Sequence, residues 1–140
     1  MGLVTEQVGC IVMTNASTSQ SNDIATVLAA YGIDHEDAMT RMLNNGALFK
    51  QLAQHYRNDT NFEALCADMK AGDLETAYNH AHTLKGVSGN LSFGQLHALA
   101  TQICDALTSN DTDAARTLMA PLTDAHKLVL EGLDYWQTLD

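Results

Sequence analysis

Residues 71–91 read AGDLETAYNHAHTLKGVSGNL, and the fold follows from them. Ala71-Gly72-Asp73 breaks one helix and starts another, with Asp73 as a good N-cap. Apolar or small residues then recur at Leu74, Ala77, Ala81, Leu84, Ser88 and Leu91. Their steps of 3, 4, 3, 4 and 3 trace one seam of an amphipathic helix. Gly86 and Gly89 lie inside this helix, although glycine costs roughly 1 kcal/mol relative to alanine there.

The same period extends in both directions. Towards the N-terminus, Leu48, Leu52 and Tyr56 fall four apart, and Phe62, Leu65 and Met69 continue the pattern. Residues 47–70 are therefore predicted helical, with the polar RNDTN of 57–61 as a bend or an exposed turn. Upstream, DIATVLAAY forms a short helix ended by Gly32. Asp34 then caps a second short helix through about Leu43, with Asp37 as a weak capping-box partner. Towards the C-terminus, Leu96, Leu99, Ile103 and Leu107 mark another helix, closed by Ser109-Asn110-Asp111. Asp111 caps the last one, which carries Ala115, Leu118, Leu122, Val129, Leu133 and Trp136. Pro121 is expected to kink that helix or restart it. Turns this short leave no room for crossovers. The expected fold is all-α: an antiparallel up-and-down four-helix bundle with a short N-terminal helical extension. It occupies residues 23–140, and residues 1–22, which end in TNASTSQSN, read as a leader or linker.

A chain of 140 residues, 46% apolar, is the size of one domain with a core. Its net charge of −10 disfavours nucleic acid and anionic lipid as partners. No run approaches the ~18 apolar residues of a membrane span, and the N-terminus lacks the basic region of a signal peptide. Cys10, Cys66 and Cys104 are odd in number and without metal-type spacing. They read as reduced thiols of a cytoplasmic protein.

The chemistry sits around His82. The seam residues point inward, and His82 is displaced by about 100° from Ala81, which puts it on the flank. Lys85 follows three residues on, Gly86 four and Gly89 seven. An exposed imidazole is thus joined by one cation and a stripe of bare backbone. Neutral imidazole is a nucleophile, and if it takes a phosphoryl group, Lys85 can pair with the phosphate oxygens. The glycines would let another protein's active site come close. The remaining machinery, Mg²⁺ included, would come from that partner, and this chain needs no cofactor of its own. A lone helical histidine is most often plain surface, so the neighbours carry the argument.

Those neighbours resemble the signature of histidine-containing phosphotransfer (Hpt) domains: Gly72-Asp73, Ala81-His82-Thr83-Leu84-Lys85-Gly86 and Gly89-Asn90-Leu91. YGIDHEDAMTRM, LFKQLAQHYRNDTNF and SNDTDAARTLM also resemble the family, extending the similarity over roughly residues 31–140. The resemblance implies a four-helix bundle and a phosphorelay role between aspartates of response-regulator receiver domains. It makes His82 the phospho-acceptor, Lys85 the neutralising cation, and Gly86 and Gly89 the residues that clear the way for a receiver. Partners would be receiver domains or a hybrid histidine kinase, from which the chain could itself be a fragment. The domain would act as a monomer in the cytoplasm, without kinase activity of its own. The family often has Gly-Ala where this chain has Ser92-Phe93, a departure expected to lie below the reacting face.

Rival readings are weaker. A bundle metalloprotein needs ligands on one face, yet His80 and His82 point to different faces and no Glu-x-x-His pair occurs. An interaction bundle would dock receivers without chemistry. The phosphotransfer domain of a chemotaxis kinase would take its phosphate from ATP bound elsewhere. Thr83-Leu84 and Gly89-Asn90-Leu91 favour the relay type.

Overall fold

The computed structural model describes residues 24–139; the predicted leader or linker lies outside them. Residues 24–30 form α1. It is followed by α2 (His35–Arg41), α3 (Gly46–His55), a 3-10 turn (Tyr56–Asn58), α4 (Asn61–Ala71), α5 (Leu74–Asn90), α6 (Gly94–Thr108) and α7 (Thr112–Thr138). The helix starts are set locally. Asp34, Asn45, Asp73 and Asp111 each accept a hydrogen bond from the backbone N–H three residues on, each worth about 1 kcal/mol. Gly72, with φ +75°, lets the Asp73 N–H reach back to the Asp68 carbonyl and stops α4.

Helices α4, α5, α6 and α7 pack each against the next in sequence, and α7 returns to α4. This is the predicted up-and-down bundle. At 27 residues, α7 is about 40 Å long and outruns α6, which has 15. Its C-terminal half packs on α3. The Phe49 and Trp136 rings meet there at 5.4 Å, and the Gln54 side-chain amide donates to the Leu133 carbonyl at 2.9 Å. The pair α3 and α4, joined at the 3-10 turn, thus forms the first member of a four-helix core.

The α5 seam is buried as predicted at Ala77, Ala81, Leu84, Ser88 and Leu91, with Leu74 half-buried. The predicted stripe holds at Tyr56, which is buried at the start of the 3-10 turn, but within α3 it is displaced by one residue: Leu48 and Leu52 are exposed, while Phe49 and Ala53 face the core. The segment offers two adjacent apolar stripes, and packing against α7 selects the one with the aromatic rings. The break at RNDTN is a true break: Asp59 is extended and accepts from the Asn61 N–H at 2.8 Å. Helix α7 runs on through the exposed Pro121 without restarting.

A titratable side chain is buried in the bundle. His126 on α7 stacks on Phe62 at 4.0 Å, and its Nδ1 lies 2.7 Å from the Tyr56 hydroxyl. Burial pushes the Tyr56 phenol well above its usual range, and a proton on His126 Nε2, the nitrogen that faces the Glu63 carboxylate, leaves Nδ1 to accept from the Tyr56 hydroxyl. His126 Nε2 lies 3.6 Å from that carboxylate. Burial lowers its pKa, as it does for His35 beside Phe49 and Trp136. The unfolded chain then binds more protons than the folded one between the lowered folded-state pKa and the ordinary histidine value of about 6.5. Stability contributed by neutral His126 is therefore fully present above the ordinary value and is lost as the pH falls from there through the folded-state pKa. Thermal melting between about pH 7 and 5 should show this as a loss that is smaller in a His126→Gln variant. Equal slopes would show that His126 does not titrate on unfolding.

Candidate functional site

Helix α5 presents three faces. Its inner face is the buried seam. A second face meets α4, where His80 Nδ1 lies 2.6 Å from the Asp68 carboxylate and the ring is half-buried. The third carries His82, Lys85 and Gly86.

His82 is exposed and has no hydrogen-bond partner among the described residues. Its ring lies nearly parallel to that of Tyr78, one turn earlier, with centroids 5.8 Å apart and planes at 16°. Tyr78 covers one side of the imidazole and restricts how it turns. A Cβ placed on Gly86 would meet nothing within 4 Å, so the backbone one turn beyond His82 is open. The Lys85 ammonium makes no ion pair with any described residue and is available to an incoming anion.

Gly89 is different. A Cβ there would stand 2.9 Å from Nδ1 of His97 on α6. That ring nitrogen donates to the Lys85 carbonyl at 2.8 Å, while the Ser88 hydroxyl donates chiefly to the Leu84 carbonyl at 2.7 Å, with the Lys85 oxygen farther off at 3.2 Å. Gly89 therefore has a reason internal to the bundle: it makes room for a ring that ties α6 to the backbone of the residue carrying the cation.

The groove beside His82, about 370 Å³, is walled on one side by His82, Lys85 and Gly86 and on the other by Asp34, Asp37 and Arg41. The second wall comes from α2 and its cap, which were not read as part of the site. The link is Ser92. It ends α5 in a left-handed conformation, φ +60°, the backbone state that favours glycine. Its hydroxyl donates to the Asp37 carboxylate at 2.7 Å, and its carbonyl accepts from the Asp34 N–H at 2.9 Å. Ser92, expected below the reacting face, in fact lines the groove. Tyr78, one turn before His82, was visible in the sequence as an i,i+4 aromatic pair. Arg41 and His97 carried no local signal.

Among the described residues, no group of three or more His, Cys, Asp and Glu side chains is placed to hold a metal. No described helix is long and apolar enough to cross a membrane. Cys66 and Cys104 are free thiols, half-buried and buried, and burial pushes both up in pKa.

The described helices form a single four-helix core with an exposed imidazole on the third face of α5. A family model for the Hpt domain matches residues 46–136, and the chain belongs to that family. Hpt domains carry phosphoryl groups between signalling proteins and are not catalysts in their own right. Helices α1 and α2 lie outside the matched region. No curated protein matches the chain, and no solved structure does.

Proposed function

We propose that the protein is a phosphorelay intermediate in which His82 accepts a phosphoryl group from the phospho-aspartate of a receiver domain and returns it to another. The observation that supports this best is the combination at His82: an exposed imidazole, an unpaired lysine one turn on, and a glycine whose side-chain position is empty. In the forward step an imidazole nitrogen attacks phosphorus, the P–O bond to the aspartate breaks, and the aspartate leaves as carboxylate. The ring goes from neutral to phosphorylated while its N–H proton is released to solvent. Lys85 pairs with the phosphoryl oxygens. Mg²⁺, held by the receiver, supplies charge neutralisation at the transferring group.

The test is incubation with a phosphorylated receiver domain, followed by mapping of the transferred phosphate. Label should appear on His82 as an acid-labile, base-stable phosphoramidate. Stable complex formation without any transfer would instead support an interaction bundle. Lys85→Ala should slow transfer by about ten- to a hundredfold, the equivalent of losing a charge-assisted contact of roughly 1.5–3 kcal/mol, with helix content unchanged by circular dichroism. Unchanged kinetics would make Lys85 simple surface charge.

A further inference from the structure

The wall of the groove built by α2 has no counterpart in the matched family region, and it brings a second cation to the face of His82. The chain has seven basic residues against 17 acidic ones. Of the seven, two line this groove, Lys85 and Arg41. Arg41 is exposed, and its Nε donates to the Asp37 carboxylate at 2.8 Å. Its two terminal nitrogens have no partner among the described residues. Asp37 in turn accepts from the Ser92 hydroxyl on the same oxygen, Oδ2. The Arg41 and Ser92 donors hold the Asp37 carboxyl below the usual carboxylate range. Ser92, Asp37 and Arg41 therefore form a chain that runs from the end of α5, through α2, to a guanidinium aimed by its Nε contact.

We propose that Arg41 is a specificity-determining residue that engages a carboxylate on the rim of the receiver's phosphorylation pocket, and that the Ser92–Asp37 hydrogen bond is what positions it. The proposal rests on His82 being the phospho-acceptor. Three observations support this occupant. The groove is continuous with the imidazole, so a partner that reaches His82 also covers Arg41. In a chain of charge −10 this groove sets two cations, Lys85 and Arg41, beside only two carboxylates, Asp34 and Asp37, so an acidic group meets less repulsion here than over the protein as a whole. A guanidinium fork with free terminal nitrogens suits a carboxylate better than a lysine does. Ser92 holds its left-handed backbone where glycine would be at ease, and the hydroxyl it brings adds a bond to the Asp37 carboxylate beside the backbone bond from the Asp34 N–H.

The experiment measures steady transfer from one phosphorylated receiver to wild type, Arg41→Ala, Ser92→Ala and the double variant. Alanine at 92 meets the same backbone conformation as serine and removes only the hydroxyl. Arg41→Ala should raise the KM for the receiver about tenfold, with kcat changed far less, and should flatten the rise of KM with ionic strength. Ser92→Ala should raise KM about threefold alone and have no further effect in the Arg41→Ala background, because the hydroxyl acts through the guanidinium. A KM for Arg41→Ala equal to that of wild type overturns the proposal. So does a loss confined to kcat, which would place Arg41 on the phosphoryl group, and so do additive effects, which would detach Ser92 from Arg41. Circular dichroism and melting of each variant confirm that α2 and the bundle remain folded. A His82→Gln control separates the two levels. If it still takes label, the phospho-acceptor assignment fails whatever Arg41 does. If it is dead and Arg41→Ala behaves as wild type, only the present inference fails.

Discussion

His82→Gln is expected to abolish labelling by a phosphorylated receiver, whereas His80→Gln should retain it. Glutamine keeps the bulk and polarity of the site but offers no nucleophilic nitrogen, so the loss should reach the detection limit, at least about a thousandfold. The two histidines are two residues apart, but α5 separates them by about 200°. His80 is committed to Asp68 at 2.6 Å across the α4–α5 interface. Its replacement should cost stability, about 1.5–3 kcal/mol for a hydrogen bond to a charged partner, and leave transfer intact. The other histidines are spoken for as well. His126 is in the core, His97 donates to the Lys85 carbonyl, and His35 is half-buried between rings. His55 is exposed, but Asn58 and Asp59 stand where His82 has Lys85 and Gly86. Label on His80 in the His82→Gln protein would end the assignment.

Gly86→Leu should separate folding from function. The added side chain meets open space, and leucine is the better helix former by nearly 1 kcal/mol. The melting temperature should hold or rise, by a few degrees for a domain of this size. Transfer from a receiver should fall by about a hundredfold or more, because the side chain would stand beside the imidazole on the face a partner must approach. The same change at Gly89 should behave differently. There it displaces His97 and breaks its bond to the Lys85 carbonyl, so stability should fall together with activity. If Gly86→Leu unfolds the bundle, the glycine serves packing, and the open face has no functional meaning.

What could be read from the sequence was what the chain decides over a few residues. Asp34, Asp73 and Asp111 cap helices because each needs only the N–H three residues on. The α5 seam was legible because one stripe dominates it, and that seam fixed His82 on the outside. Within α3 the buried face was not legible because Leu48 and Leu52 compete with Phe49 and Ala53, and periodicity alone cannot choose between neighbouring stripes. The second wall of the groove was invisible for another reason. Ser92 and Asp37 are 55 residues apart in sequence, and nothing in either neighbourhood announces the other. Gly89 and Gly86 look alike in the sequence and differ only through a histidine arriving from α6.

The order of packing has a kinetic consequence. Each core helix lies against the helix that follows it in sequence, so most of the bundle closes through short loops. Such low contact order goes with folding on the order of microseconds to milliseconds. The Ser92–Asp37 bond belongs to a different class, since it joins residues 55 apart in sequence. Closing so long a loop costs more conformational entropy than closing a short turn, so the placement of Arg41 depends on a long-range contact, whereas His82 and Lys85 depend on α5 alone.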